Sequence, residues 1–284
     1  MYTKNAIYLI ENVLIPLQEK IKKNDLVAGT AEIINANLVF DATDTKLHLG
    51  ESRKAQHKYI ENEHKWYMSQ DRCIKGHKGI EDNKIWSRIC TDDGRVNSNY
   101  GWCVFSPENG RIYYDGLTDN KRHIYIPRNK VEKSQYKYAL EQLIEKPDGR
   151  QSIIYYGRPQ MQWEWNDGIN AKSDFTCTIT TQHFIRKNRF DYIVTMRSND
   201  VIRGLHCGDL PWHGFVYEYF LKDIRMFSSM DPERGNIYWN AGSLHIYERD
   251  FELLDKIIKE YFEYLHNQPE VKKMYENPNS GFIQ

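Results

Sequence analysis

Several side chains in this sequence can do chemistry together if the fold gathers them. Cys177 is a lone thiol at the head of a strand-like run, DFTCTITTQHF, and a second strand-like run closes in Arg197-Ser198-Asn199-Asp200. A fixed cation draws a thiol toward the reactive thiolate. An arginine beside a hydroxyl also offers the fork and donor that a phosphate monoester takes. Asp209 follows after a glycine and a loop, as a carboxylate able to recognise a ligand. Each group has an ordinary reading as well. A cysteine is commonly a small buried apolar residue, and an Arg-Ser pair is frequent in any chain. Cys73, Cys90, Cys103 and Cys207 have no such neighbours in sequence and read as structural.

Two more candidates lie elsewhere. Glu63 sits among Ile60, Trp66, Tyr67 and Met68 in a helix-like stretch. It is either an exposed helix acid or a general acid/base raised by an apolar setting. His245 and Tyr247 alternate along a strand-like run, so both face one side, toward a shared ligand or toward nothing in particular.

The elements that must position these groups follow from periodicity. Residues 3–23 place Ile7, Ile10, Val13, Leu14, Leu17 and Ile21 at helical spacing. Residues 31–41 read as strand, 53–69 as helix, and 92–103 as a polar loop running into an aromatic strand. Helix is expected at 131–145, strand at 151–156 behind Arg150, and a hairpin turn near Lys187-Asn188. Helix follows at 212–225, then a strand at 237–248 broken by Gly242, and a closing helix at 250–265. Nothing repeats, and no linker-like stretch divides residues 1–284. One α+β domain, helices packed on a mixed sheet, is the expected fold class.

Composition limits the partners. The chain has 284 residues with 39 basic and 39 acidic side chains, a formal net charge of zero. That balance argues against nucleic acid as a partner, while a small anion needs only a few placed arginines. The 20 tyrosines and 7 tryptophans suit a flat-ring ligand or an aromatic core. Five cysteines without a framework read as reduced thiols of a cytoplasmic protein. No metal is expected, because no His or Cys cluster has zinc spacing. No apolar run approaches about 18 residues, so no membrane span is expected.

The segments EIINANLVFDA, ENEHKWY, KIW, GRVNSNYGW, GRQSIIYYGRPQMQW, SDFTCT, IVTMRSNDVIRG and NAGSLHIYERD stand in one order from about Ala31 to about Leu254. Together they resemble the thymidylate synthase superfamily, and in particular its phage deoxycytidylate (dCMP) hydroxymethylase branch. The resemblance implies an α/β sandwich around a large mixed sheet, a homodimer formed through the sheet, and a pyrimidine nucleotide with 5,10-methylenetetrahydrofolate as co-substrates. It implies Cys177 as the nucleophile at C6 of the pyrimidine, Arg197 and Ser198 as phosphate ligands, and Arg150 as an arginine reaching phosphate across the dimer. His245 and Tyr247 are similar to the pair on the sugar hydroxyl, Glu63 to the carboxyl that orders water and relays protons, and Tyr100 to a tyrosine beside the nucleophile. Trp86, Asp200 and Gly204 are similar to positions lining the folate site.

In this family C5 becomes nucleophilic once a thiolate adds at C6, and water or hydride then decides between a hydroxymethyl and a methyl product. The base is decided by hydrogen-bond complementarity. A uracil reader is an amide, donating to O4 and accepting from N3–H, whereas a carboxylate accepts from the cytosine amino group and from a protonated N3. Asp209 in GLHCGDLPW fits cytosine, although alignment on Leu-Pro-Trp would put His213 there instead. The chain departs from the synthases in three places. No phosphate arginine stands near Ala28-Gly29, Gln151 follows Arg150, and the apolar closing tail is not recognisable in ENPNSGFIQ. The expected activity is dCMP hydroxymethylation. A dUMP-acting synthase or hydroxymethylase, a CMP hydroxymethylase, and a catalytically idle nucleotide-binding relative remain as alternatives.

Overall fold

The computed structural model describes residues 2–107, 133–158, 161 and 174–268. The chain enters through helix α1, which runs as Lys4–Leu9, a π-helical turn Ile10–Leu14, and Ile15–Lys22. Its apolar stripe (Leu9, Ile10, Val13, Leu14, Leu17) is fully buried, as the spacing requires. Strand β1 (Thr30–Asp41) follows, then α2 (His57–Ser69) and the short α3 (Lys84–Ile89). Next come α4 (Tyr100–Phe105), α5 (Gln135–Glu145) and β2 (Ile153–Tyr155). The hairpin β3 (Thr178–Arg186) and β4 (Arg189–Asp200) leads into a π-helical segment, Val201–Asp209, and then α6 (Leu210–Phe227). Strand β5 (Glu233–Tyr247) and α7 (Phe251–His266) complete the described chain.

The five strands form one mixed sheet in the order β1-β5-β4-β3-β2, parallel only between β4 and β5. Trp212, Val216, Tyr217, Phe220, Leu221 and Ile224 of α6 are buried in the core on one face. On the other face Ile34, Val39 and Tyr155 are exposed.

Register is what gathers the site. Lys187 and Asn188 both adopt positive φ, the geometry of a tight hairpin whose twist matches its strands. From that turn the pairing runs back until the Arg197 N–H donates to the Cys177 carbonyl at 2.9 Å. The parallel pairing then sets Ser198 opposite Ser243 and Asp200 opposite His245.

Several boundaries differ from the periodicity reading. The aromatic stretch at Tyr100 is a helix and not a strand, because Asn99 caps it, its side chain accepting from the Trp102 N–H at 2.7 Å. Helix α2 begins at His57, the residues before it being loop, and α5 begins at Gln135 behind a Ser134 cap. The first two residues of that expected helix, 131–132, lie outside the described residues, as does ENPNSGFIQ. Strand β5 starts earlier than expected and runs unbroken through Gly242. The glycine is there for contact: a Cβ on it would lie 2.8 Å from the Arg197 carbonyl oxygen. Gly242→Ala is therefore expected to destabilise the protein by about 1–3 kcal/mol, read as a lower urea midpoint at unchanged m-value. An unchanged midpoint would contradict this close approach.

Candidate active site

Cys177 lies half-buried beside the exposed end of β4, its Sγ 3.8 Å from Arg197 Nη2. The guanidinium is fixed by two carbonyls, with Nε donating to Thr176 at 3.0 Å and Nη2 to Phe175 at 2.6 Å, and it stacks over the Phe175 ring. Burial pushes the thiol up to about 12, with Asp209, Asp174 and Asp200 adding to the rise and Arg197 opposing it. Tyr100 sits next to it, its hydroxyl accepting from the Thr178 N–H at 3.1 Å. Ser198 follows Arg197, half-buried.

Glu63 is not an exposed helix acid: it is 3% exposed on α2. Oε1 accepts from the Tyr59 hydroxyl at 2.7 Å, and Tyr59 in turn accepts from Trp86 Nε1 at 3.1 Å. Oε2 is buried without a partner, and a Cβ on Gly208 would come within 2.7 Å of it. Desolvation raises the Glu63 carboxyl to about 8, and the nearby Asp209 raises it further while Tyr59 pulls it down. Asp209 closes the π-helical segment. Its Oδ2 accepts from Asn199 Nδ2 at 2.7 Å, and a Cβ on Gly204 would lie 2.8 Å from that oxygen. Burial raises this carboxyl to about 7. Asp209 thus lies within electrostatic reach of both Glu63 and the thiol, and each carboxyl leans on a glycine.

The segment before α6, Val201–Asp209, is π-wound. A π-helix absorbs one residue more than an α-helix over the same path. Asp209 closes that segment, and Leu210, Pro211 and Trp212 open α6, all three buried. His213 is used within the core, fully buried, with Nε2 3.3 Å from Thr178 Oγ1 and Nδ1 3.2 Å from the Tyr192 hydroxyl.

Asp200 starts the segment. Its Oδ1 accepts from the Ile202 and Arg203 N–H groups at 2.9 Å each, and Oδ2 from Arg249 at 3.3 Å. His245 is buried opposite Glu32 of β1. The Ser243 hydroxyl, 2.6 Å from Glu32 Oε2, lies 3.3 Å from His245 Nδ1, so a hydroxyl donating to Glu32 accepts from Nδ1–H. Tyr247 packs edge-on against His245 and carries Arg249 over its ring at 4.2 Å.

Arg150 stands apart. Gln182 Nε2 donates to its carbonyl at 2.9 Å, and the strand rise from Cys177 to Gln182 is about 17 Å. Cys207, which looked merely structural in sequence, receives a hydrogen bond from Arg53 Nη2, which also donates to the Ile202 carbonyl at 2.7 Å. Arg53, Tyr59, Asn199 and Glu32 carried no sequence signal that marked them. Their partners lie far off in the chain or are ordinary helix neighbours.

The thymidylate synthase family model matches residues 7–277, and the chain belongs to that family. Among its relatives, the deoxycytidylate 5-hydroxymethyltransferase of Enterobacteria phage T6 is 34% identical over 256 residues, 87% of this chain and 89% of that protein. The enzyme of the same name from phage T4 is 34% identical over 253 residues with the same coverage. Thymidylate synthase 1 of Bacillus spizizenii is 24% identical over 256 residues, 88% of this chain and 78% of that protein. In fold, the chain matches the thermostable thymidylate synthase A from Bacillus subtilis, with a TM-score of 0.52 at 20% identity. The match covers 81% of this chain and 70% of that one.

The raised Glu63 carboxyl links stability to pH. Its folded value of about 8 exceeds the ordinary 4.5, so the native state binds more protons between those values and stability falls as pH rises through that window. Glu63→Gln, which keeps an acceptor for Tyr59, is expected to flatten this decline and to raise the urea midpoint at pH 8. A Glu63→Gln protein less stable than the parent at pH 8 would refute the assignment.

Proposed function

We propose that this chain is a deoxycytidylate hydroxymethylase, converting dCMP, 5,10-methylenetetrahydrofolate and water to 5-hydroxymethyl-dCMP and tetrahydrofolate. One observation carries the choice of base: the side chain within electrostatic reach of Glu63 and the thiol is an acid, Asp209, and not an amide. The names of the phage T6 and T4 relatives support the same activity.

In this reading Cys177 Sγ forms a bond to C6 as the nucleotide settles against Arg197 and Ser198, and the proton the thiol loses is balanced by the one N3 gains beside Asp209. Electron density released to C5 makes that carbon the nucleophile, while N3 and the exocyclic amino group face Asp209. His245 and Tyr247 hold the sugar hydroxyl, and Tyr100 supports the backbone beside the thiol. Glu63 Oε2 is buried against the Gly208 backbone without a hydrogen-bond partner, so a donor from an incoming group would satisfy it. Methylenetetrahydrofolate supplies the one-carbon unit when bound, and Trp86, Asp200 and Gly204 are the residues that would hold it. Glu63, neutral below about pH 8, orders the water that adds to the new exocyclic carbon and moves its proton.

The catalytic unit is a single domain spanning the chain, working in the cytoplasm as a homodimer. Two features support the dimer. The sheet leaves Ile34, Val39 and Tyr155 exposed on one face, and Arg150 is too distant to serve the thiol of its own chain. The partner subunit's Arg150 would complete the phosphate site.

Tritium release from [5-³H]dCMP, with methylenetetrahydrofolate present, is expected to exceed release from [5-³H]dUMP and from CMP labelled at C5. The product mass should correspond to a hydroxymethyl group. Equal or faster release from dUMP would overturn the role of Asp209. Cys177→Ala is expected to reduce release by about 10³-fold or more while dCMP still binds. Asp209→Asn should turn preference toward dUMP, and His213→Asn should not.

A further inference from the structure

Asn199 is 2% exposed on β4 and lies between two groups of unequal chemistry. On one side Trp239 Nε1 of β5 donates to its Oδ1 at 3.1 Å, and on the other its Nδ2 donates to Asp209 Oδ2 at 2.7 Å. An indole N–H can only donate, so it fixes which end of the amide is oxygen, and the amide cannot flip. Oδ2 of Asp209 must therefore be an acceptor. The other oxygen, Oδ1, takes part in no hydrogen bond among the described residues. Gly204 closes the same corner, where a Cβ would lie 2.8 Å from Asp209 Oδ2 and 2.9 Å from Asn199 Nδ2.

We propose that Asn199, locked by Trp239, is the positioning residue for base discrimination. It bars a proton from Asp209 Oδ2, so that one proton is shared between Oδ1 and ring N3 while Oδ2 accepts from the exocyclic amino group. The inference rests on the dCMP reading of the site and deepens it. A uracil offers a hydrogen at N3 and an acceptor at O4, so with a proton on Oδ1 two hydrogens meet at N3, and O4 faces the lone pairs of Oδ2. Cytosine is chosen by where the proton sits, and Asn199 decides where it sits. The other ionisable groups around Asp209 are Glu63 and Tyr67 of α2, Tyr100 of α4, Cys177 before β3, and Asp200 at the end of β4. None is a cation, so the Asn199 donor is what steadies the ionised form of Asp209, and its loss should raise the affinity of the carboxyl for a proton.

The test compares the parent protein with Asn199→Ala, Trp239→Phe and the double variant, each checked for folding by thermal melting. The ratio of kcat/KM for dCMP over dUMP is expected to fall about tenfold to a hundredfold in Asn199→Ala. It should fall by a smaller factor in Trp239→Phe, and the double variant should be no worse than Asn199→Ala alone. The alkaline limb of kcat/KM for dCMP should move to higher pH. Carbon-13 NMR of the Asp209 carboxyl in the free protein reads the same shift without turnover and should show an upward titration in Asn199→Ala. Unchanged Asp209 titration in a folded Asn199→Ala or Trp239→Phe protein would overturn the inference, as would a dCMP:dUMP ratio within twofold of the parent. Failure of the parent protein to act on dCMP would overturn the functional reading instead, and the NMR titration would still judge the relay.

Discussion

A buried carboxyl, Glu63, within electrostatic reach of a half-buried one, Asp209, with no cation paired to either among the described residues, sets the terms for everything around them. Desolvation raises both carboxyls, Glu63 to about 8 and Asp209 to about 7; Asp209 adds to the rise at Glu63, and Asp200 to the rise at Asp209. The surrounding fold answers with hydrogen-bond donors and not with charge. Tyr59 serves Glu63, Asn199 serves Asp209, and behind them Trp86 and Trp239 each use their single indole donor. Such a cavity is costly to maintain and poor as a stabilising device. What it offers is a pair of acids whose protonation responds to what enters.

The π-helical segment makes that pairing possible. It begins at a carboxylate cap, Asp200, and ends at the carboxyl of Asp209. Between them Gly204 and Gly208 let the backbone come against the acids at distances no side chain would permit. The winding also turns Cys207 inward onto Arg53 and the Ile202 carbonyl, tying the segment to the loop before α2. Strand register and helix winding thus act on the same few residues: the hairpin delivers Cys177 to Arg197, and the segment delivers Asp209 to Glu63.

Much of this was legible in the residues. Cys177, Arg197, Ser198, Glu63 and Asp209 could be named as candidates from their side chains, with roles that only the family resemblance implied, and the hairpin turn near Lys187-Asn188 is found where it was expected. What escaped was relational. Asn199 looks like any polar strand residue until Trp239 is found on the next strand. The Arg53–Cys207 contact joins residues that no local pattern connects. The stretch at Tyr100 read as strand because aromatic residues favour sheets, and the Asn99 cap overrode that preference. Gly242 read as a break because glycine weakens strands, whereas here it admits a neighbouring backbone.

The order of pairing in the sheet bears on how the site is assembled over time. The β3–β4 hairpin is local and turns on two residues, whereas the parallel pairing of β4 with β5 must wait for the π segment and α6 to cross between them. Local pairs close sooner than distant ones. The contact of the thiol with its arginine thus hangs on a local pairing, whereas the Trp239–Asn199–Asp209 chain of hydrogen bonds hangs on a distant one.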